Sequence, residues 1–581
     1  MKNNSKTLKG IAAAPGFAIA KAYLFAKEKE DVSCASIENV DEAIHNLNEA
    51  IEKSKKELNK IFSLAIDKLG DKRAAIFEAQ IMILDDPILI GNIHQRIKEE
   101  KKHPEFIVHD EITKYQNMMN ASTEAYMKER SQDIEDIKLR IIRNLKKKKW
   151  RSKITSEVIV VTTTLTPADT VLFAKESVKG YITDFGGLTS HAAIVARSLD
   201  IPAVVGVKDS TNNIQNGDTI IVDGFNGVVI VNPDESQIEN YQNKIIQLAE
   251  YDEQLAELRD VDAVTSDGRR INLMANLDIT DEIETIIQNG AEGIGLVRTE
   301  QLFHENDQFP DEESQYIFYK ELAERLYPRK VTIRAFDVGG DKVLPFDVKE
   351  PNPFLGWRGI RFLLDNTQLF KMQIRAVLRA NIHKNINFMI PMVSDITEID
   401  KTKKIIAECN DELDKEGIQF DRYLKLGIMV EVPSVAVMSA EFSDCVDFVS
   451  IGTNDLIQYL LAVDRGNEIV SAQYQEFHPA VVRTIHHIIQ NTNCDDDDIS
   501  MCGEMAADIV AIPLLVGLGL KSLSVSASAI PNIKKIIKSL NYSEAKKVAE
   551  QCLKLKTADE VCAVMHKYSH EKLTDQLQNI I

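Results

Sequence analysis

Apolar residues change their spacing several times along this chain, and each change marks an element. Ile37, Val40, Ile44, Leu47, Ile51, Leu58, Ile61 and Ala65 fall three, four or seven apart, the stripe of an amphipathic helix. Helical texture continues to about Leu145, punctuated by Pro87 and Pro104, so residues 34–145 are predicted to form a helical bundle. The flanks read differently. Residues 9–25 alternate small and apolar residues around Pro15-Gly16 and predict two short strands. Strand texture returns at Glu157–Thr162 and Lys179–Asp184, and residues 219–231 predict a hairpin turning at Gly224–Gly227. The bundle is thus an insertion into an α/β domain made of residues 1–33 and 146–233. Residues 234–262 are charged and helix-prone, a linker helix. From 263 to 581 eight short apolar runs alternate with helical patterns: Ile271–Asn276, Gly293–Val297, Val331–Ala335, Asn385–Ile390, Leu426–Glu431, Asp447–Ile451, Ile499–Gly503 and Ser522–Ser526. That pattern predicts a (β/α)8 TIM-type barrel. The expected fold class is α/β multidomain.

One stretch of the first domain carries candidate chemistry. The strand ending at Asp184 runs into Gly186-Gly187, then Thr189 and Ser190, both natural helix N-caps. Ile194, Val195 and Leu199 follow at helical spacing, and Pro202 ends the segment. His191 therefore falls in a first helical turn. Free N–H groups and the positive end of the helix dipole lie there, which keeps an imidazole neutral and favours an anion placed on it. The reading is a histidine that carries a phosphoryl group. The alternative is a capping loop with an incidental histidine.

The barrel supplies a second set. Chemistry in such barrels collects where strands end. Arg298 follows the second run, Arg334 closes the third, and Arg358 lies in the next loop. Glu431 closes the fifth run, Asn454, Asp455 and Arg465 follow the sixth, and Cys502 closes the seventh. Four arginines imply a small, highly anionic substrate, because guanidinium pairs bidentately with phosphate and carboxylate and keeps its charge. Glu431 and Asp455 can supply the carboxylates that a substrate-bridging Mg²⁺ needs. Cys502 is a thiol that this setting can tune as an acid or a nucleophile. His478, His486 and His487 have no partners at ligand spacing and read as structural or surface residues, and Asp495–Asp498 as a loop.

Bulk properties narrow the field. A net charge of −20 argues against nucleic acid as the default partner. The cysteines at 34, 409, 445, 494, 502, 552 and 562 form no Cys-x-x-Cys pair and read as reduced thiols. The run Ile509–Leu520 is too short to span a bilayer, and no secretory leader pattern opens the sequence. A cytoplasmic location without membrane insertion is expected.

These residues stand in a recognisable series: Gly-Gly-Leu-Thr-Ser-His (186–191), Gly-Ile-Gly-Leu-Val-Arg-Thr-Glu (293–300), Asp-Val-Gly-Gly-Asp-Lys (337–342), Asn-Pro-Phe-Leu-Gly-Trp-Arg-Gly-Ile-Arg (352–361), Gly-Thr-Asn-Asp-Leu (452–456), Leu-Ala-Val-Asp-Arg-Gly-Asn (461–467) and Met-Cys-Gly-Glu (501–504). The chain resembles Enzyme I of the bacterial sugar phosphotransferase system over essentially its whole length. The resemblance implies that His191 takes the phosphoryl group of phosphoenolpyruvate and passes it to the carrier protein HPr, with release of pyruvate. It implies that Arg298, Arg334, Arg358 and Arg465 hold the substrate with Asn454, that Glu431 and Asp455 bind Mg²⁺, and that Cys502 is the proton donor. It further implies HPr docking on the helical insert, a homodimer formed through the barrel domain, and a swivel that lets His191 visit two partners. Two positions depart from the pattern. Leu188 stands where arginine is common, and Gln80 where histidine is common. The rival readings are a nitrogen-branch phosphotransferase, which carries a sensory domain ahead of the equivalent of Lys9, and a sensor that binds phosphoenolpyruvate without turnover.

Overall fold

The computed structural model describes all residues except 1–4, 26–31, 70, 121–124, 148–153, 155, 166–168, 170–172, 174–176, 189, 191–192, 194–195, 198, 200, 279–282, 304–308, 340–349, 468, 496–497 and 578–581. The chain divides into two units, Met1–Ala249 and Glu250–Ile581.

The first unit is an eight-stranded sheet with a helical insert. Its strands are β1 (Lys6–Lys9), β2 (Ile11–Ala14), β3 (Phe17–Leu24), β4 (Val158–Thr162), β5 (Val178–Thr183), β6 (Ala203–Val205), β7 (Thr219–Asp223) and β8 (Val228–Val231), in the order β1-β8-β7-β3-β4-β5-β6-β2. The central neighbours β3, β4, β5 and β6 are parallel and the outer pairs antiparallel. Every residue of β4 is buried, as a strand covered on both faces requires. Val158 and Val160 pack into one apolar cluster, Ile159 and Val161 into another, following the two-residue alternation of a strand.

Between β3 and β4 run five helices: α1 (Val40–Leu69), α2 (Asp71–Leu84), α3 (Pro87–Glu100), α4 (Pro104–Asn120) and α5 (Ala125–Leu145). Four residues of the stripe read from sequence lie on the buried face of α1, while the Ala65 side chain lies outside the described residues: Leu47, Ile51, Leu58 and Ile61 meet Ile93 and Ile97 of α3, Ile107 and Ile112 of α4, and Ile137 and Ile141 of α5 in one core. Pro87 starts α3 as expected. It follows Asp86, whose carboxylate accepts from the Ile88 and Leu89 amides at 2.7 and 3.3 Å, so an N-cap and a proline at the first helical position fix the boundary together.

The helix Glu235–Glu257 carries the chain into the second unit. There eight strands close into a barrel: β9 (Asn272–Leu277), β10 (Gly293–Val297), β11 (Lys330–Arg334), β12 (Ile386–Ile390), β13 (Lys425–Val430), β14 (Phe448–Ile451), β15 (Ile499–Met501) and β16 (Ser522–Ser526). All eight pairs are parallel, and β16 returns to β9 with Ser522 opposite Asn272. The eight runs read from the sequence match these strands to within two residues at each end. Among the described residues no helix is long and apolar enough to cross a membrane.

Candidate functional site: the mouth of the barrel

Parallel closure sends all eight strand ends to one rim. A cavity of about 290 Å³ opens there, and Arg298, Arg334, Arg358, Glu431, Asn454, Asp455, Arg465 and Cys502 all line it. The structure thus brings together every barrel residue singled out in the sequence. Arg298 directly follows β10, Arg334 ends β11, Glu431 follows β13 and Cys502 follows β15. Asn454 and Asp455 lie in the first turn of the helix Thr453–Leu461.

Carboxylates hold the arginines, and two of them, Glu300 and Asp337, are not among the candidate residues read from the sequence. Arg334 Nη2 donates to both oxygens of Glu300, at 3.0 and 2.9 Å. Asp337 bridges two arginines: its carboxylate lies 3.4 Å from Arg334 Nη1 and accepts from Arg358 Nε at 3.2 Å and Nη2 at 2.8 Å. The Asp337 amide in turn donates to Glu300 at 2.7 Å. Arg358 also donates to Asp455, from Nη1 at 3.2 Å and Nη2 at 3.3 Å, and to the Tyr459 hydroxyl at 3.2 Å. Burial works against the charge of Arg334 and Arg358, but Glu300 and Asp337 at the first and Asp337 and Asp455 at the second outweigh it, so both stay above the ordinary arginine range. Arg298 donates to Asp278 at 3.1 Å and is more exposed. Asn454 is locked by a reciprocal pair: its Nδ2 donates to Glu504 at 2.9 Å and its Oδ1 accepts from the Glu504 amide at 2.8 Å. Glu300, Asp337 and Glu504 all stand in the sequence motifs quoted above, but their letters carry no sign of which arginine or amide each one serves.

Glu431 is 1% exposed. One carboxylate oxygen accepts from the Met392 amide at 2.6 Å. Burial, then the neighbouring charges of Asp455 and Asp337, push its carboxyl well above the usual glutamate range, so this site resists another bare negative charge. Cys502 is buried too, and burial is the main cause of a thiol held above its ordinary value. That setting favours the thiol over the thiolate. The lining holds four arginines against the carboxylates Glu300, Asp337, Glu431, Asp455 and Glu504. Even without Glu431 the carboxylates are as numerous as the arginines, so a polyanion entering this cavity meets no surplus of positive charge unless a cation comes with it. Among the described residues no three His, Cys, Asp or Glu side chains converge as a metal site. Arg334 Nε is buried with no hydrogen-bond partner among the described residues, an unmet donor of the kind that an anionic ligand satisfies.

His191 and Thr189 lie outside the described residues. Around them, Gly186 adopts φ +132°, which the turn out of β5 requires. The Ser190 hydroxyl accepts from the Ala193 amide at 3.3 Å, the N-cap contact expected from sequence. Arg197 Nη1 donates to Ala13 O and its Nη2 to Leu188 O, each at 2.7 Å, tying the loop to β2. The Leu188 side chain is exposed, and Gln80 is buried within α2. Leu199 packs against the core of the helical insert. His478 is structural: its Nδ1 accepts from the Ala480 amide and caps the helix Pro479–Asn491.

Residues 252–542 match the family described as PEP-utilising enzyme, PEP-binding domain, residues 9–130 the N-terminal family of PEP-utilising enzymes, and residues 154–227 their mobile domain. Curated relatives span nearly the whole chain. A phosphoenolpyruvate-protein phosphotransferase of Staphylococcus carnosus is 42% identical over 569 residues, covering 97% of this chain and 99% of its own. Those of Mycoplasma capricolum and Bacillus subtilis are each 41% identical, covering 96% of this chain and 98% of theirs. With identity of this level over this length, the chain belongs to the phosphoenolpyruvate-protein phosphotransferase family.

Proposed function

We propose that this protein moves the phosphoryl group of phosphoenolpyruvate onto His191 and then onto a histidine of the carrier HPr, releasing pyruvate, as the first step of the sugar phosphotransferase system. One observation carries the reading: four arginines, the carboxylates Glu431 and Asp455 and the buried thiol of Cys502 converge on one cavity at the barrel mouth. Phosphoryl transfer asks for in-line positioning and neutralised charge more than for covalent work by the protein. Arg298, Arg334, Arg358 and Arg465 hold the phosphate and carboxylate, with Asn454 donating from an amide whose orientation Glu504 fixes. Glu431 and Asp455 would hold a divalent cation, since both carboxylates line this one cavity and the charge of Asp455 already works against ionised Glu431, a conflict that a cation between them relieves. Mg²⁺ bound there would supply charge neutralisation to the transferring group. Neutral His191 attacks phosphorus, the enolate of pyruvate leaves, and the Cys502 Sγ–H gives its proton to C3 of that enolate.

The packing of Leu199 on the helical insert supports a histidine segment that works beside the face where HPr docks. A swivel of the histidine domain on the segment 234–262 lets one histidine serve both partners. Homodimerisation through the barrel domain and a cytoplasmic location complete the proposal. Radiolabelled phosphoenolpyruvate, Mg²⁺ and HPr, with wild type and His191→Ala side by side, test it. Label on the wild type that passes to HPr, and none on the variant, is the expected result. An unlabelled wild type refutes it.

A further inference from the structure

Almost every side chain lining the barrel-mouth cavity is charged or polar. The exceptions are Leu296, Met429 and Cys502, apart from two glycines. These three are not scattered. Together with Met389 and Phe448 they form a single buried apolar cluster, separate from the main barrel core. They come from β10, from β13 and from the residue after β15, so they converge across the barrel interior as one wall. The substrate of the proposed reaction has a matching asymmetry. C1 carries the carboxylate and C2 the phosphate, and only C3 bears no polar atom. Opposing C3 to any other part of this lining would strip water from charged groups without giving them a partner.

We infer that Leu296 and Met429 form the subsite for the C3 methylene, hold it against Cys502, and determine that the substrate is an enol phosphate unsubstituted at C3. The inference rests on the proposed phosphotransferase reading and assigns its specificity. The wall cannot recede. A Cβ on Gly427 would stand 2.4 Å from the Phe448 ring, so that ring already fills the space over β13. A Cβ on Gly452 would stand 2.9 Å from Met429 Cγ and Sδ, which leaves the Met429 side chain backed by main chain. Close-packed interiors respond to one added methyl group. A single methylene in an apolar pocket is worth about 10- to 200-fold in discrimination.

The test compares phosphorylation of the full-length protein by phosphoenolpyruvate and by its (Z)-3-methyl analogue, as the ratio of kcat/KM values, for wild type, Leu296→Ala and Leu296→Val. The wild type should favour the unsubstituted substrate by about 10- to 200-fold. Leu296→Ala should shrink that ratio about tenfold or more, and Leu296→Val, which removes one methylene and serves if the alanine variant does not fold, should shrink it by a smaller factor. General loss of packing lowers both kcat/KM values together and leaves the ratio alone. A wild type that phosphoenolpyruvate labels while the ratio stays fixed in the variants overturns the wall and leaves the phosphotransferase standing. A wild type that neither compound labels overturns both.

Discussion

Asp337→Asn is the sharpest probe of how the arginine pair is held. Asparagine keeps the shape of the side chain, but it replaces one carboxylate oxygen with an N–H donor and removes the charge. In the native site that carboxylate serves Arg334 Nη1 and two nitrogens of Arg358, and it is 1% exposed. Breaking one partner of a buried ion pair costs about 3–5 kcal/mol. Two features pull the value down. Glu300 still pairs Arg334 and Asp455 still pairs Arg358. Asp337 is also one of the charges that disfavour ionised Glu431, so its removal returns on the order of 1 kcal/mol, one pKa unit's worth. A net loss of about 2–3 kcal/mol remains. At ~2 °C per kcal/mol for a unit of this size, the calorimetric transition of the second unit should fall by about 4–6 °C. Calorimetric titration with phospholactate, an unreactive analogue, should show at least tenfold weaker binding as the two guanidiniums lose their common anchor. A transition within 1 °C of wild type together with unchanged analogue affinity would falsify the view that Asp337 sets the spacing of Arg334 and Arg358.

Two further outcomes follow from the same geometry. Because burial and its neighbours raise the Glu431 carboxyl, the folded state binds a proton there more tightly than the unfolded state. Glu431 therefore opposes folding increasingly as pH climbs above the ordinary glutamate value of 4.5. Glu431→Gln should melt higher than wild type at neutral pH and lose part of the downward slope of stability with rising pH, while phosphorylation from phosphoenolpyruvate collapses; parallel pH–Tm curves for the two proteins would contradict this. Gly503→Ala places a Cβ 1.8 Å from the Thr453 hydroxyl and must push on the helix that carries Asn454 and Asp455. It should cost about 1–3 kcal/mol by overpacking and raise KM for phosphoenolpyruvate, and a variant with native Tm and KM would show that this contact is slack.

The barrel strands are legible because each is a short, mostly apolar run between helical stretches, as expected of strands packed inside a barrel. Three-residue β6 escaped notice because Ala203–Val205 follows Pro202 too closely for any periodicity to register, and β1 because Lys6–Lys9 is mostly exposed. The arginines could be picked out because a cation at a strand end has few structural reasons to be there. Their anchors could not. Glu300 is three positions from the end of β10 and Asp337 three from Arg334 in sequence, ordinary carboxylates after a strand until closure of the barrel sets them against guanidiniums. The fixing of Asn454 by Glu504 joins residues fifty apart and needs the fold itself.

The interruption of the first sheet has a consequence for how the chain acquires its shape. Strand β3 ends at Leu24 and its neighbour β4 begins at Val158, while β1 waits for β8, with Lys6 opposite Val231. During synthesis at roughly 5–20 residues per second, the first strands spend on the order of 10–45 s without their outer partners. The helical insert, built from neighbouring contacts, can assemble in that interval. Once formed, it replaces a long flexible loop by a rigid body whose two ends need only span adjacent strands, which lowers the entropy cost of bringing β3 to β4. An insert that fails to fold would leave exposed apolar strand edges on the nascent chain, so lesions in the core of the bundle should first appear as aggregation of newly made protein.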